Sequence, residues 1–356
     1  MAMVARALAA TAGIEHKICV TAQHREMLDP ILRLLKLEPD FDLDVMLPRQ
    51  GLADITSAVL HGVRDTLEAI QPDRILVQGD TTTVLAASLA AFYAKIPVGH
   101  VEAGLRTGNM MAPWPEEMNR RVVDILSDRH YAPTEQARQN LLAEGLSDSG
   151  IIVTGNPVID TLLHVVARLQ NESELVDRAK EMLPERGADR RWILVTAHRR
   201  ENFGAGFAQI CRALVQLGAR DDMEIVYPVH MNPAVQEPIR HYLGNQPHIR
   251  LIDPLDYLSF VHLMTESHII LTDSGGIQEE APALGKPLLV MRDATERPEG
   301  VTAGTARLVG ADAERITREV TRLLDDEEAY AAMARAHNPY GDGRASQRIR
   351  QDLLGD

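Results

Sequence analysis

The sequence predicts an α/β protein made of two doubly wound parallel-sheet domains facing each other, and three observations predict it. Short β-branched runs alternate with helix-period segments from one end to the other, the pattern of parallel sheets covered by helices on both faces. The alternation breaks once, over a polar, charged stretch from Gln170 to Arg191 with Pro184 and Gly187 as breakers. A chain of 356 residues, 45% hydrophobic, also exceeds what one ordinary core holds.

Taken in order, strands are expected in the first half at 17–21, 43–47, 74–78, 98–101, 130–132 and 151–154. The clearest helix is 51–70, where Ile55, Val59, Val63 and Leu67 repeat every four residues along one stripe while Arg64, Asp65 and Glu68 lie on the other face. The second half offers strands at 192–197, 224–229, 249–252, 268–272, 287–291 and 306–309. The domains read as 1–169 plus 343–356, a linker at 170–191, and 192–342, with a terminal helix after Gly343 returning to the first domain.

The net charge of -14 and pI near 5.4 disfavour a general role on nucleic acid or an anionic membrane, so any phosphate needs a local site. Two cysteines, Cys19 and Cys211, give neither metal-ligand spacing nor a disulfide framework and fit a reducing cytoplasm. The most apolar run, 84–94, is too short to span a bilayer, and the start has no secretory cleavage pattern.

Ligands of doubly wound sheets bind beyond the carboxyl ends of the strands, so the residues there carry most weight. After 268–272 comes Asp273-Ser-Gly-Gly-Ile-Gln-Glu-Glu280. Ser274, Gly275 and Gly276 can bring backbone N–H groups close to a diphosphate, and Glu280 can accept from ribose hydroxyls. A structural alternative is that Asp273 or Ser274 caps the helix and the acids complement its dipole.

Asp80 follows 74–78, where it equally suits a helix N-cap. Glu102 follows 98–101 with Arg106 in reach of a salt bridge. Glu116 and Glu117 follow Pro115 in a helix's first turn, where they also suit the dipole. His198-Arg-Arg follows 192–197 and His230 follows 224–229; the arginines fit phosphate oxygens or a solvated cluster. Together these residues pair acids in one domain with a histidine, arginines and a diphosphate cradle in the other.

The motifs Gly79-Asp-Thr-Thr-Thr, His100-Val-Glu-Ala-Gly-Leu-Arg-Thr-Gly, Pro115-Glu-Glu, Thr196-Ala-His-Arg-Arg-Glu-Asn, Asp273-Ser-Gly-Gly-Ile-Gln-Glu-Glu and Thr295-Glu-Arg-Pro-Glu closely resemble bacterial non-hydrolysing UDP-N-acetylglucosamine 2-epimerases. The resemblance runs in order as far as Asn338-Pro-Tyr-Gly-Asp-Gly. It implies two Rossmann-like domains of the glycosyltransferase-B type, a cytoplasmic homodimer, and interconversion of UDP-N-acetylglucosamine and UDP-N-acetylmannosamine for surface polysaccharide, without cofactor or metal. It implies Asp80, Glu102, Glu116 and His198 as catalytic groups, and Ser274, Gly275, Gly276, Glu280, Phe260 and Arg297 as substrate contacts. Gln23, Arg49, Glu116 and His230 resemble part of an activator site for a second UDP-N-acetylglucosamine. Members of that family begin with a strand and a Gly-Thr-Arg-Pro-Glu-Ala-Ile-Lys loop, whereas this sequence starts at what resembles the following helix. The first sheet is therefore expected without a central strand, with unpaired backbone on both neighbours and two fewer positive charges at the site. Alternatives are a retaining glycosyltransferase of the same fold, a hydrolysing relative, and an inactive nucleotide-sugar binder.

Overall fold

The computed structural model describes residues 1–23, 25–47, 49–197, 199, 202–230 and 233–355. The chain divides into two compact units, Met1–Thr161 with Tyr340–Asp356, and Leu162–Pro339. Twelve strands run through the described residues: β1 (Cys19–Val20), β2 (Phe41–Asp42), β3 (Ile75–Gln78), β4 (Val98–Val101), β5 (Arg129–Ala132), β6 (Ile151–Val153), β7 (Arg191–Thr196), β8 (Met223–Pro228), β9 (Ile249–Ile252), β10 (Ser267–Thr272), β11 (Leu288–Val290) and β12 (Ala306–Leu308). Every pairing between them is parallel, as the alternating pattern requires.

In the first unit β3, β4, β5 and β6 form one sheet in that order, while β1 and β2 form a separate pair. β2 is shorter and earlier than the expected 43–47. Asp44 adopts a left-handed backbone (φ 43°), which takes the chain out of the extended conformation. Arg25 donates to both Asp42 and Asp44 and so holds the bend. The helix expected at 51–70 is Leu52–Ile70, with Gly51 before it and the Asp54 carboxylate accepting from the Gly51 N–H. Its stripe of Ile55, Val59, Val63 and Leu67 is buried against Val84, Ala86, Ala90 and Val98. The terminal helix Ala345–Leu354 packs on helix Ala2–Ala9, where Val4, Leu8, Val101, Tyr131 and Ile349 share a core. The Tyr131 hydroxyl donates to Asp352 at 2.8 Å.

The second unit holds a six-stranded sheet in the order β12-β11-β10-β7-β8-β9. This is the doubly wound dinucleotide-fold order, whose winding reverses between β7 and β10. The central strands are apolar along their middle runs: Ile193, Leu194, Val195, Ile225, Val226, Ile269, Ile270 and Leu271 have no solvent exposure. The polar stretch read as a linker carries the helix Ser173–Lys180, which belongs to this unit and rests on helix Tyr257–Glu266. Its one buried residue is Ala179, so hydropathy alone gave little sign of it. Among the described residues no helix is long and apolar enough to cross a membrane.

Candidate active site

In the first unit the site grows from the ends of β3 and β4, which are hydrogen-bonded neighbours. After β3 the chain turns through Gly79 (φ 80°), whose N–H donates to the Val101 carbonyl at 3.0 Å. Asp80 is not the helix cap that its position allowed. Thr81 occupies the N-cap of helix Thr82–Tyr93 and accepts from the Val84 N–H. The Asp80 carboxylate instead takes Nη2 of Arg120 at 2.5 Å and Nε at 3.1 Å, and its carbonyl accepts from Asn119 Nδ2 at 2.8 Å.

Glu102 leaves β4 in a left-handed backbone conformation (φ 67°), a strained state for a residue with a Cβ and one that clusters at functional positions. Its Oε1 accepts from Asn156 Nδ2 at 2.9 Å. Its Oε2 lies 3.1 Å from where a Cβ on Gly79 would sit. The structure thus brings Glu102 onto the turn that carries Asp80. Arg106 does not pair with Glu102; it donates to Asp124 at 2.6 Å and to Glu144 at 2.7 Å.

Helix Glu116–Leu126 starts directly after Pro115, with Glu116 and Glu117 in its first turn. Glu116 is half-buried. Glu117 is fully buried and accepts from the N–H groups of Thr107 and Gly108 and from Arg120. Residues 116, 119, 120 and 124 recur at three- and four-residue spacing, so one helical face presents Glu116, Asn119, Arg120 and Asp124 together. Of these polar groups, the sequence motifs point to Glu116 alone as a site residue. The i+3/i+4 spacing from Glu116 is the signal that could have found Asn119 and Arg120.

Three further first-unit groups bear on the expected site. Gln23 is half-buried and its Oε1 accepts from the Thr83 hydroxyl at 3.1 Å, beside the Asp80 turn. Arg49 is exposed with φ 69°. Asn156 follows β6, and its N–H donates to the Tyr340 carbonyl.

In the second unit several of the candidate residues lie at or near the β7/β10 reversal. Asp273 is fully buried and does not cap the helix that follows it: its Oδ2 accepts from the Arg199 N–H at 2.9 Å and from Asn202 Nδ2 at 3.1 Å, tying the end of β10 to the segment after β7. His198 lies outside the described residues. The Ser274 N–H donates to the Thr272 hydroxyl at 2.9 Å, so that group is already engaged. The N–H groups of Gly275 and Gly276 take no partner among the described residues, which leaves them as the turn's donors.

Arg297 does lie against this turn. Its Nη1 would be 2.7 Å from a Cβ at position 275, and it donates to buried Glu279 at 2.6 Å and to Glu296 at 2.8 Å. Glu296 also accepts from Arg292. Glu280 is 8% exposed; burial, with a contribution from neighbouring Glu279, pushes its carboxyl up to about 7 even though the Tyr257 hydroxyl donates to it at 3.2 Å and works the other way. Tyr257 and half-buried Phe260 are three apart on helix Tyr257–Glu266 and so share a face. His230 follows β8 and is exposed.

The fold is that of solved UDP-GlcNAc 2-epimerases. The family model for UDP-N-acetylglucosamine 2-epimerase matches residues 6–354. A UDP-N-acetylglucosamine 2-epimerase of Escherichia coli strain K12 is 56% identical over 354 residues, 99% of this chain and 94% of that one. The crystal structure of a UDP-GlcNAc 2-epimerase from Neisseria meningitidis bound to UDP-GlcNAc shares 48% identity with a TM-score of 0.93, covering 100% of this chain and 96% of that one. A Methanocaldococcus jannaschii UDP-GlcNAc 2-epimerase in complex with UDP-GlcNAc and UDP is 32% identical with a TM-score of 0.82, again over 100% and 96%. The chain belongs to the UDP-N-acetylglucosamine 2-epimerase family.

Proposed function

We propose that the protein interconverts UDP-N-acetylglucosamine and UDP-N-acetylmannosamine by inversion at C2. The observation that carries this reading is the pair of carboxylates, Asp80 and Glu102, on the ends of adjacent strands, the one gripped by Arg120 and the other held in a left-handed backbone. Membership of the family supports the same substrate.

C2 of this sugar bears an acetamido group and no adjacent carbonyl, so simple deprotonation is too costly. Elimination avoids the problem. A carboxylate takes the C2 proton, the C2–H electron pair forms the C1–C2 double bond, and the C1–O bond breaks with its pair leaving on UDP. The 2-acetamidoglucal then accepts a proton on the opposite face of C2 while UDP re-adds at C1. Asp80, Glu102 and Glu116 are assigned the proton transfers. The N–H groups of Gly275 and Gly276 and the His198 side chain are assigned the diphosphate, Glu280 the ribose, Phe260 the uracil and Arg297 a further substrate contact. No step calls for a redox group.

The reading extends to a homodimer serving surface-polysaccharide precursor synthesis, and to an activating second substrate molecule at Gln23, Arg49, Glu116 and His230. A sigmoidal dependence of rate on UDP-N-acetylglucosamine is the expected outcome for the activator. The deciding experiment is proton NMR of the protein with UDP-N-acetylglucosamine in deuterated water. The expected result is UDP-N-acetylmannosamine carrying deuterium at C2. UDP release only on addition of a sugar acceptor would instead establish a transferase, free N-acetylmannosamine with UDP a hydrolase, and binding without turnover an inactive binder.

A further inference from the structure

His100 has no solvent exposure and no role in the chemistry above, yet both of its ring nitrogens are engaged. Nε2 lies 2.8 Å from the Gly79 carbonyl oxygen and Nδ1 lies 2.6 Å from Asp124 Oδ1. A carbonyl oxygen can only accept, so Nε2 carries a hydrogen. The other nitrogen faces a carboxylate whose second oxygen already takes Arg106 Nη2 at 2.6 Å. An arginine on Oδ2 favours the ionised carboxylate, and an ionised carboxylate also only accepts. Nδ1 then carries a hydrogen as well.

The surrounding charges agree. Asp124, 1% exposed at its side chain, is the negative charge in direct contact with His100, and it shares Arg106 with Glu144. Glu102, two residues along from His100, adds to the negative field, and Arg121 reaches only the outer Glu144. Neighbouring His130 uses its Nε2 on the Asp124 backbone carbonyl and brings no donor to the carboxylate.

We propose that His100 is a constitutively protonated positioning residue, a buried imidazolium that clamps the Gly79 carbonyl to helix Glu116–Leu126 and thereby fixes the turn that carries Asp80 and lies against Glu102. The inference rests on the proposed proton-transfer role of those carboxylates only for its catalytic consequence; the charge state stands on the hydrogen-bond geometry. Burial opposes the charge, but Asp124, through its field and its hydrogen bond, and the Gly79 carbonyl outweigh it and raise the imidazole above its ordinary value. Burial likewise works against Asp124 as a carboxylate, and His100 and Arg106 together bring it below its usual range. By the same clamp, helix Glu116–Leu126 holds the turn at three points: the Gly79 carbonyl through Asp124 and His100, the Asp80 carbonyl through Asn119, and the Asp80 carboxylate through Arg120.

The test uses the full chain labelled with 15N-histidine, one of 13 histidines being the target. Long-range 1H–15N spectra from pH 6 to 9 are expected to show one ring that keeps two protonated nitrogens where solvent-exposed histidines have become neutral. The signal is assigned by its loss in His100→Gln, or through ring-to-backbone connectivities should that variant not fold. A pyridine-type nitrogen at pH 7 in the assigned ring overturns the charge state. In the deuterium-exchange assay, His100→Gln is expected to lower kcat roughly 10- to 100-fold with KM changed by less than about threefold, since small misplacements of reacting groups carry penalties of that order. Wild-type kcat in a folded His100→Gln overturns the positioning role. Absence of C2 exchange in the wild-type protein overturns the proposed function, and the spectra then still decide the charge of His100.

Discussion

Glu280 offers a test in which stability and ligand affinity move in opposite directions. Its carboxyl is 8% exposed, is pushed from an ordinary value near 4.5 up to about 7 chiefly by burial, and touches the Tyr257 hydroxyl at 3.2 Å. Between those two values the folded chain keeps a proton that the unfolded chain has released, so stability falls as pH rises through the window and levels off above about 7. At ~1.36 kcal/mol per pH unit, ionising this group inside the fold costs the second unit roughly 3 kcal/mol at pH 8 relative to pH 4. Glu280→Gln keeps the acceptor for Tyr257 and removes the ionisation. The variant is expected to be more stable than wild type at pH 8 by roughly 1–3 kcal/mol, with the difference shrinking steadily toward pH 5.

Urea unfolding followed by tryptophan fluorescence can read this unit separately. The chain has two tryptophans; Trp192, on β7, is 5% exposed, while Trp114 in the other unit is 60% exposed and changes little on unfolding. UDP affinity should move the other way. Losing a charged acceptor for ribose hydroxyls costs ~1.5–3 kcal/mol, or roughly 10- to 100-fold in Kd by titration calorimetry. A stability difference between variant and wild type that stays flat from pH 5.5 to 8.5 would refute the buried-carboxyl reasoning.

Glu102→Gly removes the left-handed strain at φ 67° and is expected to raise the thermal midpoint, by about 1 kcal/mol in stability, while deuterium exchange at C2 drops at least ~100-fold. Scanning calorimetry and the NMR assay check the two halves, and a lowered midpoint in that variant would sink the strain argument. Gly104→Ala, at φ 85° with a Cβ that would sit 2.3 Å from the Ala137 carbonyl oxygen, is expected to lose roughly 3 kcal/mol in urea unfolding. Gly275→Ala drives a methyl to 2.7 Å from Arg297 Nη1 and Glu296 Oε1, neither of which is free to swing because Glu279 and Arg292 hold them. UDP affinity is expected to fall roughly tenfold or more while unfolding of the first unit is unchanged; unchanged affinity would remove this turn from the nucleotide site.

The sheets were legible because strands buried on both faces announce themselves. Ile193, Leu194 and Val195 in β7 and Ile269, Ile270 and Leu271 in β10 are unbroken apolar runs, and their ends fell within a residue or two of expectation. The turn after β10 was legible for a similar reason, since two adjacent glycines between a strand and a helix mark a tight turn. What the pattern could not show was how Asp273 is used. Its position before a helix suggested a cap, but the cap role needs only local geometry, whereas its actual partners, Arg199 and Asn202, lie more than seventy residues earlier and meet it only because β7 and β10 pair. The same holds for β2, where a φ of 43° at Asp44 ends the strand and no propensity marks it.

Helix Glu116–Leu126 shows why the proposed catalytic side was harder to read than the proposed nucleotide side. A binary pattern sends polar residues to solvent, and this helix inverts it: Glu117, Asn119, Arg120 and Asp124 are buried, while Ile125 is 73% exposed. Burying four polar groups on one helix is costly unless each is paired. Each is, and the partners named above are Asp80, the Thr107–Gly108 backbone, His100 and Arg106, all within or beside the two strand-end loops. A purely structural helix would reach the same stability with apolar residues at those positions. The inverted pattern is therefore explained by what it positions. The loops carrying Asp80 and Glu102 are irregular backbone, one residue of it strained, and packing alone gives such loops no fixed geometry. Directional bonds from a rigid helix supply it, which is why the residues that look misplaced in the hydrophobic pattern are the ones that hold the proposed chemistry in place.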